Sequence, residues 1–387
     1  MKKRQLGRTD LYVNEIGYGS MSLANDMATR PSEQQAVALL ERMIDDAGVE
    51  FIDTADTYGG GDEEIGYAER LIARALAGER RRRVVVATKG GFERPNGAWR
   101  KNGRPEHLRA ACEASLRALE TDTIDLYQFH APDPDVPFAE SVGALAELRS
   151  QGKIRHIGLS NVGTDLLREA MEITTITSVQ NPLSPFRYGE SQAALLKLCE
   201  ESGITFIAYA PLGGHRNAAM IPDFEPWIRE HVTSPAPLRP MLLAWGLAIS
   251  PSVIPIPATT RWEHLVDNMA AAELALSEED RRKLPEAKSW MQIHEGLMAD
   301  ADYTGAIRQL RTGLERHPED PMIWYNLACA SALGGESPAS IEALERAIAL
   351  GFDDRSHIEQ DTDLDSIRAL PEYEELIRRM IEQANRP

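Results

Sequence analysis

The chain has 387 residues of ordinary globular composition and a formal net charge of −18, which argues against a nucleic-acid-binding protein with its clustered basic side chains. The dense basic run Arg80–Arg83 is short and typical of a solvated helix end. The longest apolar stretch, Met241–Ile249, is far below the roughly 20 residues that a membrane span needs. We therefore expect neither a nucleic acid nor a membrane as partner. The cysteines are few and far apart, at Cys112, Cys199 and Cys329, which indicates the reducing cytoplasm.

Up to about residue 285, short β-branched runs alternate with segments of helical periodicity. The predicted strands are Glu15–Tyr18, Phe51–Asp53, Val84–Thr88, Ile124–Phe129, His156–Leu159, Ser178–Gln180, Thr205–Tyr209 and Val253–Pro255. The predicted helices include Ser32–Ala47, Glu64–Ala77, Pro105–Leu119, Ala139–Ser150, Ser191–Glu201 and Trp262–Ala272. Strands that alternate with helices imply a parallel sheet, and eight such strands can close into a barrel. The sequence therefore predicts an α/β fold, a (β/α)8 TIM barrel over residues 1–286.

An open, doubly wound sheet is the alternative architecture for the same alternation. That fold binds dinucleotides through a Gly-x-Gly-x-x-Gly motif that follows the first strand and opens a helix. No such motif follows the first predicted strand, Glu15–Tyr18. The barrel is therefore the preferred architecture.

The last hundred residues change to helical patterns with an internal repeat of 34 residues. The repeat pairs Trp290 with Trp324, Ile293 with Leu327, Ala306 with Ser340, Leu310 with Leu344, and Gly313 with Ala347. This period resembles two tetratricopeptide repeats over about 287–354, so a small all-α domain with a C-terminal cap is expected over 287–387. Because two repeats bury too little surface to be stable alone, we expect this domain to pack against the barrel, its own tail or another subunit.

Polar side chains end several of the predicted strands, where barrel enzymes place their chemistry. Asp53, Lys89 and His130 end the second, third and fourth strands, and Tyr58 follows in the loop after the second. A lysine in such a place needs an acidic partner, and Asp53 is one strand away. The nearby ammonium is expected to lower the pKa of Tyr58 from about 10, so that it can exchange a proton near neutral pH. His130 is a donor that can orient a carbonyl oxygen. Each residue alone has an ordinary structural explanation, but together they predict a general acid–base site.

The first 285 residues or so resemble the aldo-keto reductases. The matching segments are Phe51–Gly59, Val86–Gly90, Ile124–His130, Lys153–Val162, Val179–Asn181 and Ala208–Leu212. The resemblance implies NAD(P)H-dependent reduction of aldehyde or ketone carbonyls. It makes Tyr58 the proton donor, with Lys89 and Asp53 setting its pKa and His130 positioning the substrate carbonyl.

The same resemblance implies a set of cofactor-binding residues. They are Gly19, Ser20 and Met21 near the first strand, Asp53, the carboxamide ligands Ser160, Asn161 and Gln180, the ring-stacking Tyr209 with Pro211 and Leu212, and the adenosine-end residues Thr259, Thr260, Arg261, His264 and Asn268. Family members often carry glycine at 258, lysine at 260 and arginine or glutamine at 264, where this chain has alanine, threonine and histidine. Arg261 can still pair bidentately with a 2′-phosphate, so NADPH is expected, with NADH as the alternative. No metal is expected, because the acids Asp62–Glu64 are typical of a helix N-terminus.

The C-terminal repeats leave further hypotheses open. The chain is alternatively a cofactor-sensing or scaffold subunit that recruits a protein partner through 287–387, or the repeats cover the pocket mouth or mediate self-association. The region Lys89–Arg109 resembles bacterial members that include pyridoxal reductases, which makes pyridoxal a candidate substrate. Within it, Trp99 is expected either to wall the substrate pocket or to anchor an exposed loop.

Overall fold

The computed structural model describes residues 2–25 and 27–384, apart from the side chains of 215–220, 290 and 382–384. The chain forms two compact units, one of residues 1–221 and 231–286, the other of residues 222–230 and 287–387. The segment 222–230, expected in the barrel domain, is thus grouped with the C-terminal helices. The domain boundary after residue 286 stays a prediction.

The first unit is a (β/α)8 barrel, as predicted. Its strands are β1 (Lys3–Gln5), β2 (Tyr12–Asn14), β3 (Tyr18–Gly19), β4 (Phe51–Asp53), β5 (Val85–Gly90), β6 (Phe92–Glu93), β7 (Arg100–Lys101), β8 (Ile124–Phe129), β9 (Ile154–Ser160), β10 (Ser178–Pro182), β11 (Thr205–Tyr209) and β12 (Val253–Pro255). The helices up to residue 286 are α1 (Glu33–Asp45), α2 (Tyr67–Ala75), α3 (Pro105–Ala118), α4 (Phe138–Ser150), α5 (Thr164–Ile173), α6 (Glu190–Ser202), α7 (Gly214–His231), α8 (Leu238–Ile249), α9 (Trp262–Ala270) and α10 (Glu278–Lys283).

Eight parallel strands form the barrel wall in the order β3-β4-β5-β8-β9-β10-β11-β12. The ring closes where the backbone N–H groups of Gly17 and Gly19 donate to the carbonyls of Pro255 (3.0 Å) and Pro257 (3.3 Å). Inward side chains such as Phe51 form a buried core that also includes Leu6 of the N-terminal hairpin β1–β2. Chemistry is therefore confined to the rim where the strands end.

The first barrel strand is Tyr18–Gly19 and not Glu15–Tyr18 as predicted. The backbone N–H of Glu15 donates to the carbonyl of Lys2 at 3.3 Å, so this residue extends the N-terminal hairpin. The hairpin was not predicted, because strands of three residues are too short to show a period-2 pattern.

The second unit is all-helical within the described residues. Its helices are α11 (Trp290–Ala299), α12 (Tyr303–Arg316), α13 (Pro321–Leu333), α14 (Ser337–Ala349), α15 (Arg355–Gln360) and α16 (Pro371–Ala384). Successive helices from α11 to α14 pack against one another, and the repeat-related Ala306 and Ser340 are fully buried. The tail residues Leu364 and Ile367 belong to the same core. The side chain of Trp290, one of the predicted repeat positions, lies outside the described residues. No helix in the described part of the chain is long and apolar enough to cross a bilayer.

A carboxyl group is buried behind the barrel wall. Glu69 of α2 is completely inaccessible and accepts a hydrogen bond of 2.6 Å from the hydroxyl of Thr88 in β5. Burial, the largest influence, raises the pKa of Glu69 from 4.5 to about 7. The folded state therefore holds the proton over a pH range in which the unfolded chain has lost it.

The contribution of Glu69 to the free energy of unfolding should fall as pH rises from about 4.5 to about 7, because over that range the folded state holds this proton and the unfolded chain does not. Glu69→Gln removes this proton and should abolish that part of the slope, a difference of a few kcal/mol at about 1.4 kcal/mol per pKa unit. Urea denaturation at about pH 5 and about pH 8 measures it. The matched control is Glu172→Gln on the exposed surface of α5. An identical pH slope in wild type and Glu69→Gln would contradict the prediction.

Candidate active site

Three of the predicted catalytic residues meet at the ends of β4 and β5. Lys89 is completely buried, and its ammonium donates to Asp53 Oδ2 (2.5 Å), to the carbonyl of Thr54 (2.7 Å) and to Tyr58 Oη (3.3 Å). The strands β4 and β5 pair in parallel, with Asp53 opposite Ala87, which brings the Lys89 side chain to the rim beside Asp53. The structure thus brings together the lysine, its acid and the tyrosine.

The protonation states follow from burial and from these contacts. Burial, the largest single influence, disfavours the charge on Lys89, but the contacts with Asp53 and Tyr58 together outweigh it and raise the pKa of the ammonium above its usual value. Burial also raises the pKa of Tyr58, and Lys89 opposes this only in part. The prediction that Lys89 lowers the pKa of Tyr58 overall is therefore wrong for this structure. Desolvation and the negative charge of Asp53 outweigh the ammonium, so the tyrosine is a neutral hydroxyl.

His130 lies beside Tyr58 at the end of β8. Its ring centroid is 6.0 Å from that of Tyr58, and its backbone N–H donates to the carbonyl of Gly90 at 2.9 Å. Burial, with a smaller contribution from Lys89, lowers the pKa of His130 far below its usual value, so the imidazole is neutral. Its buried Nδ1 has no hydrogen-bond partner among the described residues. A neutral imidazole beside the tyrosine hydroxyl can donate one hydrogen bond to a carbonyl oxygen.

The second carboxylate oxygen of Asp53 is held by two amides. Gln128 and Gln180 both donate to Asp53 Oδ1, at 2.9 Å and 2.7 Å, and Gln180 also donates to Gln128 Oε1 at 3.2 Å. Gln128 is fully buried and was not singled out from the sequence. The available signal was its spacing of two from His130, the residue directly after β8, which places both side chains on the inward side of the barrel. Gln180 offers its amide nitrogen to Asp53, so its carbonyl oxygen is the atom left for a ligand.

The other predicted nicotinamide-side residues form one hydrogen-bonded group. Asn161 donates to the carbonyl of His130 (2.9 Å) and to Ser160 Oγ (3.1 Å), and it accepts from Tyr209 Oη (2.8 Å). Ser160 in turn donates to the carbonyl of Gln180 at 2.9 Å. Asn161 has a φ of 59°, a left-handed conformation that asparagine tolerates. This group therefore lies next to the catalytic residues. A bound nicotinamide carboxamide would replace some of the hydrogen bonds that these side chains make to one another.

Two backbone segments, at Asp53 and at Ile256, lie close to the end of β3. The N–H of Ser20 donates to the carbonyl of Asp53 at 2.9 Å. A Cβ at Gly19 would lie 2.9 Å from the carbonyl oxygen of Ile256, so only glycine fits there. Ser20 Oγ is buried without a partner among the described residues, whereas Met21 is largely exposed. Pro211 and Leu212 are buried just after β11.

The predicted adenosine-end residues lie in the loop between β12 and α9 and on α9 itself. Thr259 Oγ1 accepts from the N–H of Arg261 (3.1 Å), and the carbonyl of Thr259 accepts from Tyr18 Oη (2.7 Å). The Arg261 side chain is 65% exposed, with the Glu263 carboxylate 4.0 Å away. Thr260 is exposed, Asn268 is buried, and the pKa of His264 is lowered by burial and by Arg261.

These residues fit a nicotinamide dinucleotide. Ser20 Oγ and His130 Nδ1 are buried polar atoms at the acid–base site that find no hydrogen-bond partner within the described part of the chain. At the other end, Arg261 precedes α9, whose first N–H groups carry no side-chain cap. A helix N-terminus with an exposed arginine suits a phosphate group.

Comparison with known proteins agrees with this architecture. The Aldo/keto reductase family model matches residues 15–288. A Glycine max protein named Probable aldo-keto reductase 1 is 32% identical over 313 residues, which cover 73% of this chain and 88% of the relative. An uncharacterized oxidoreductase of Schizosaccharomyces pombe is 34% identical over 282 residues, covering 72% and 87%. The crystal structure of a Klebsiella pneumoniae aldo/keto reductase in complex with NADP and acetate superposes with a TM-score of 0.59, at 29% identity and with 74% and 95% coverage.

The chain therefore belongs to the aldo/keto reductase family and is an oxidoreductase. The family match ends at residue 288, so residues 289–387 lie outside it.

Proposed function

We propose that the chain reduces aldehyde or ketone carbonyls of small molecules to alcohols with NADPH, using Tyr58 as the general acid. The observation that carries this is the hydrogen bond of 3.3 Å between Lys89 Nζ and Tyr58 Oη, with Asp53 on the lysine and His130 beside the tyrosine. A neutral hydroxyl, a buried cation and a neutral imidazole at one rim position are the groups that carbonyl reduction needs.

In the proposed carbonyl reduction, each site residue of this chain would have a separate role. The substrate carbonyl oxygen accepts hydrogen bonds from Tyr58 and from the neutral imidazole of His130. The carbonyl carbon would take a hydride from the nicotinamide of a bound cofactor. Because burial keeps Tyr58 protonated, it holds the proton that the developing alkoxide takes. Lys89 then stabilises the phenolate left on Tyr58, and Asp53 keeps the lysine charged and in place.

We infer that the cofactor is held by the predicted set, from Gly19 and Ser20 through Asn161 and Tyr209 to Arg261. The relative from Klebsiella pneumoniae is described in complex with NADP, which supports the same cofactor here. Arg261 is a cation of the adenosine end that can pair with a 2′-phosphate. NADH remains the alternative because lysine is absent at position 260.

Arg261→Ala should weaken NADPH binding by roughly 10- to 100-fold, because it removes a charge-assisted hydrogen bond worth about 1.5–3 kcal/mol. NADH, which has no 2′-phosphate, should bind as before. Fluorescence titration with both cofactors measures the two dissociation constants. Arg168→Ala, on the exposed face of α5, is the matched control. Equal losses for NADPH and NADH would contradict the role of Arg261.

The proposed activity is tested by following NADPH oxidation over a panel of aldehydes, ketones and pyridoxal, with NADH run in parallel. Pyridoxal belongs in the panel because of the resemblance in Lys89–Arg109. Turnover of carbonyl compounds that is lost in Tyr58→Phe supports the proposal. A panel without any turnover by the wild-type chain would overturn it.

We propose that the second unit is a tetratricopeptide-like module that binds a protein partner or a second copy of the chain, in the cytoplasm. The support is its successively packed helices and the small residues Ala306 and Ser340, buried at equivalent repeat positions. Sedimentation of the full chain at rising concentration, combined with affinity capture, tests this. A single-chain mass throughout and no specific partner would count against it. An intact acid–base site argues against the chain being only a sensing subunit.

A further inference from the structure

A short hairpin follows β5 and borders the acid–base site. Its strands β6 and β7 pair Phe92 with Lys101 and Glu93 with Arg100. The ring of Trp99, just before β7, lies 6.5 Å from the ring of Tyr58, 6.0 Å from that of His130 and 5.4 Å from that of Phe92, measured between centroids. Trp99 is still 43% exposed. The indole is therefore an open aromatic wall beside the two proposed donors to the carbonyl oxygen.

Arg94, in the turn of the same hairpin, is only 5% exposed. Its guanidinium carbon lies 4.2 Å from the centroid of the Trp99 ring. Its Nη1 donates to the carbonyl of Thr57 (3.0 Å) and its Nε to the carbonyl of Gly97 (3.1 Å). Among the side chains that the structure describes, no carboxylate oxygen lies within 4.0 Å of this cation. The guanidinium of Arg94 thus contacts the face of the Trp99 ring and two backbone carbonyls.

The contacts of Arg94 connect the Trp99 ring to the loop after β4 that carries Tyr58. Thr57 directly precedes Tyr58, so one guanidinium fixes both the indole and the backbone that carries the proton donor. A planar guanidinium is suited to this because it can stack on a ring and donate in its own plane at the same time. A lysine keeps the charge but cannot do both.

We propose that Arg94 is a positioning residue that holds Trp99 as a specificity wall, so that the enzyme prefers carbonyl compounds with a flat aromatic substituent over aliphatic ones. This rests on the proposed function. A carbonyl oxygen that accepts from Tyr58 and His130 places its substituent within reach of the indole. Aromatic pairs gain energy at centroid separations of about 4.5–7 Å, which an alkyl chain cannot reproduce.

The test is the ratio of kcat/KM for benzaldehyde to that for propanal, in the full chain with saturating NADPH. Trp99→Leu keeps apolar bulk without a ring and should lower this ratio by about tenfold. Arg94→Lys should lower it by about threefold, mainly through a higher KM for benzaldehyde. The matched control is Arg100→Met, because Arg100 lies on the same hairpin with an exposed side chain paired to Glu93. Its ratio should equal that of the wild type.

The outcomes separate the two proposals. If the wild type reduces no carbonyl compound of the panel, the proposed function fails, and the inference fails with it. If the wild type reduces other carbonyl compounds but not benzaldehyde, the function stands and the inference is overturned. If the wild type reduces both aldehydes but Trp99→Leu and Arg94→Lys keep its ratio, the function stands and the inference is overturned. If Arg94→Lys unfolds, Trp99→Leu still decides, because it leaves the hydrogen bonds of Arg94 to Thr57 and Gly97 in place.

Discussion

Tyr58→Phe is expected to lose carbonyl reduction by roughly 10²- to 10⁴-fold while it still binds NADPH. The phenyl ring keeps the packing against His130 and Trp99 but has no proton to give. Steady-state NADPH oxidation measures the loss of kcat, and fluorescence titration measures cofactor binding.

The matched control for this variant is Tyr12→Phe. Tyr12 is 56% exposed in the N-terminal hairpin, so the same loss of a hydroxyl should leave kcat unchanged. Turnover in Tyr58→Phe at the wild-type rate would remove the tyrosine from the mechanism. A loss of cofactor binding as large as the loss of kcat would show that the residue acts through binding.

Asp53→Asn is expected to lower the free energy of unfolding by about 3–5 kcal/mol, because it leaves the completely buried ammonium of Lys89 without its counter-charge. It should also abolish turnover, since Lys89 then loses the carboxylate that most favours its charged form beside Tyr58. Urea denaturation of the variant against the wild type measures the change in stability.

The double variant Asp53→Asn, Lys89→Met separates structure from catalysis. It removes both charges, so much of the lost stability should return, while reduction stays absent because Tyr58 has lost its ammonium. Gln128 and Gln180 still have an oxygen at position 53 to donate to. If the two substitutions destabilise the chain additively, the buried ion pair is not what holds this part of the rim.

The barrel and the neighbourhood of the acid–base residues were readable from the sequence for a geometric reason. Parallel strands end at a common rim, so Asp53, Lys89 and His130 had to lie close together once their strands were recognised. The limits of β4, β8, β11 and β12 were predicted to the residue because each is a short run in which β-branched, aromatic and other apolar residues predominate. The roles of the individual site residues stay predictions for the experiments above.

What the sequence could not show depends on burial and on contacts between distant segments. The direction of the Tyr58 pKa depends on how completely its hydroxyl is desolvated, which no local pattern encodes. Gln128 acts through Asp53, 75 positions away along the chain. The contact of Arg94 with Trp99 depends on the turn between the two-residue strands of a hairpin. In that turn Asn96 has a φ of 51°. Such features appear only when the chain is folded.

The three acceptors around Lys89 have one more consequence. An ammonium carries three hydrogens, and here Asp53, Thr54 and Tyr58 take all of them. Asp53 also favours the protonated form of Lys89, and a protonated nitrogen has no lone pair with which to attack a carbonyl. A lysine beside an aldehyde would otherwise be prone to imine formation. The arrangement that holds the lysine next to the tyrosine thus also makes its amine chemically inert toward the compounds that we propose the enzyme reduces.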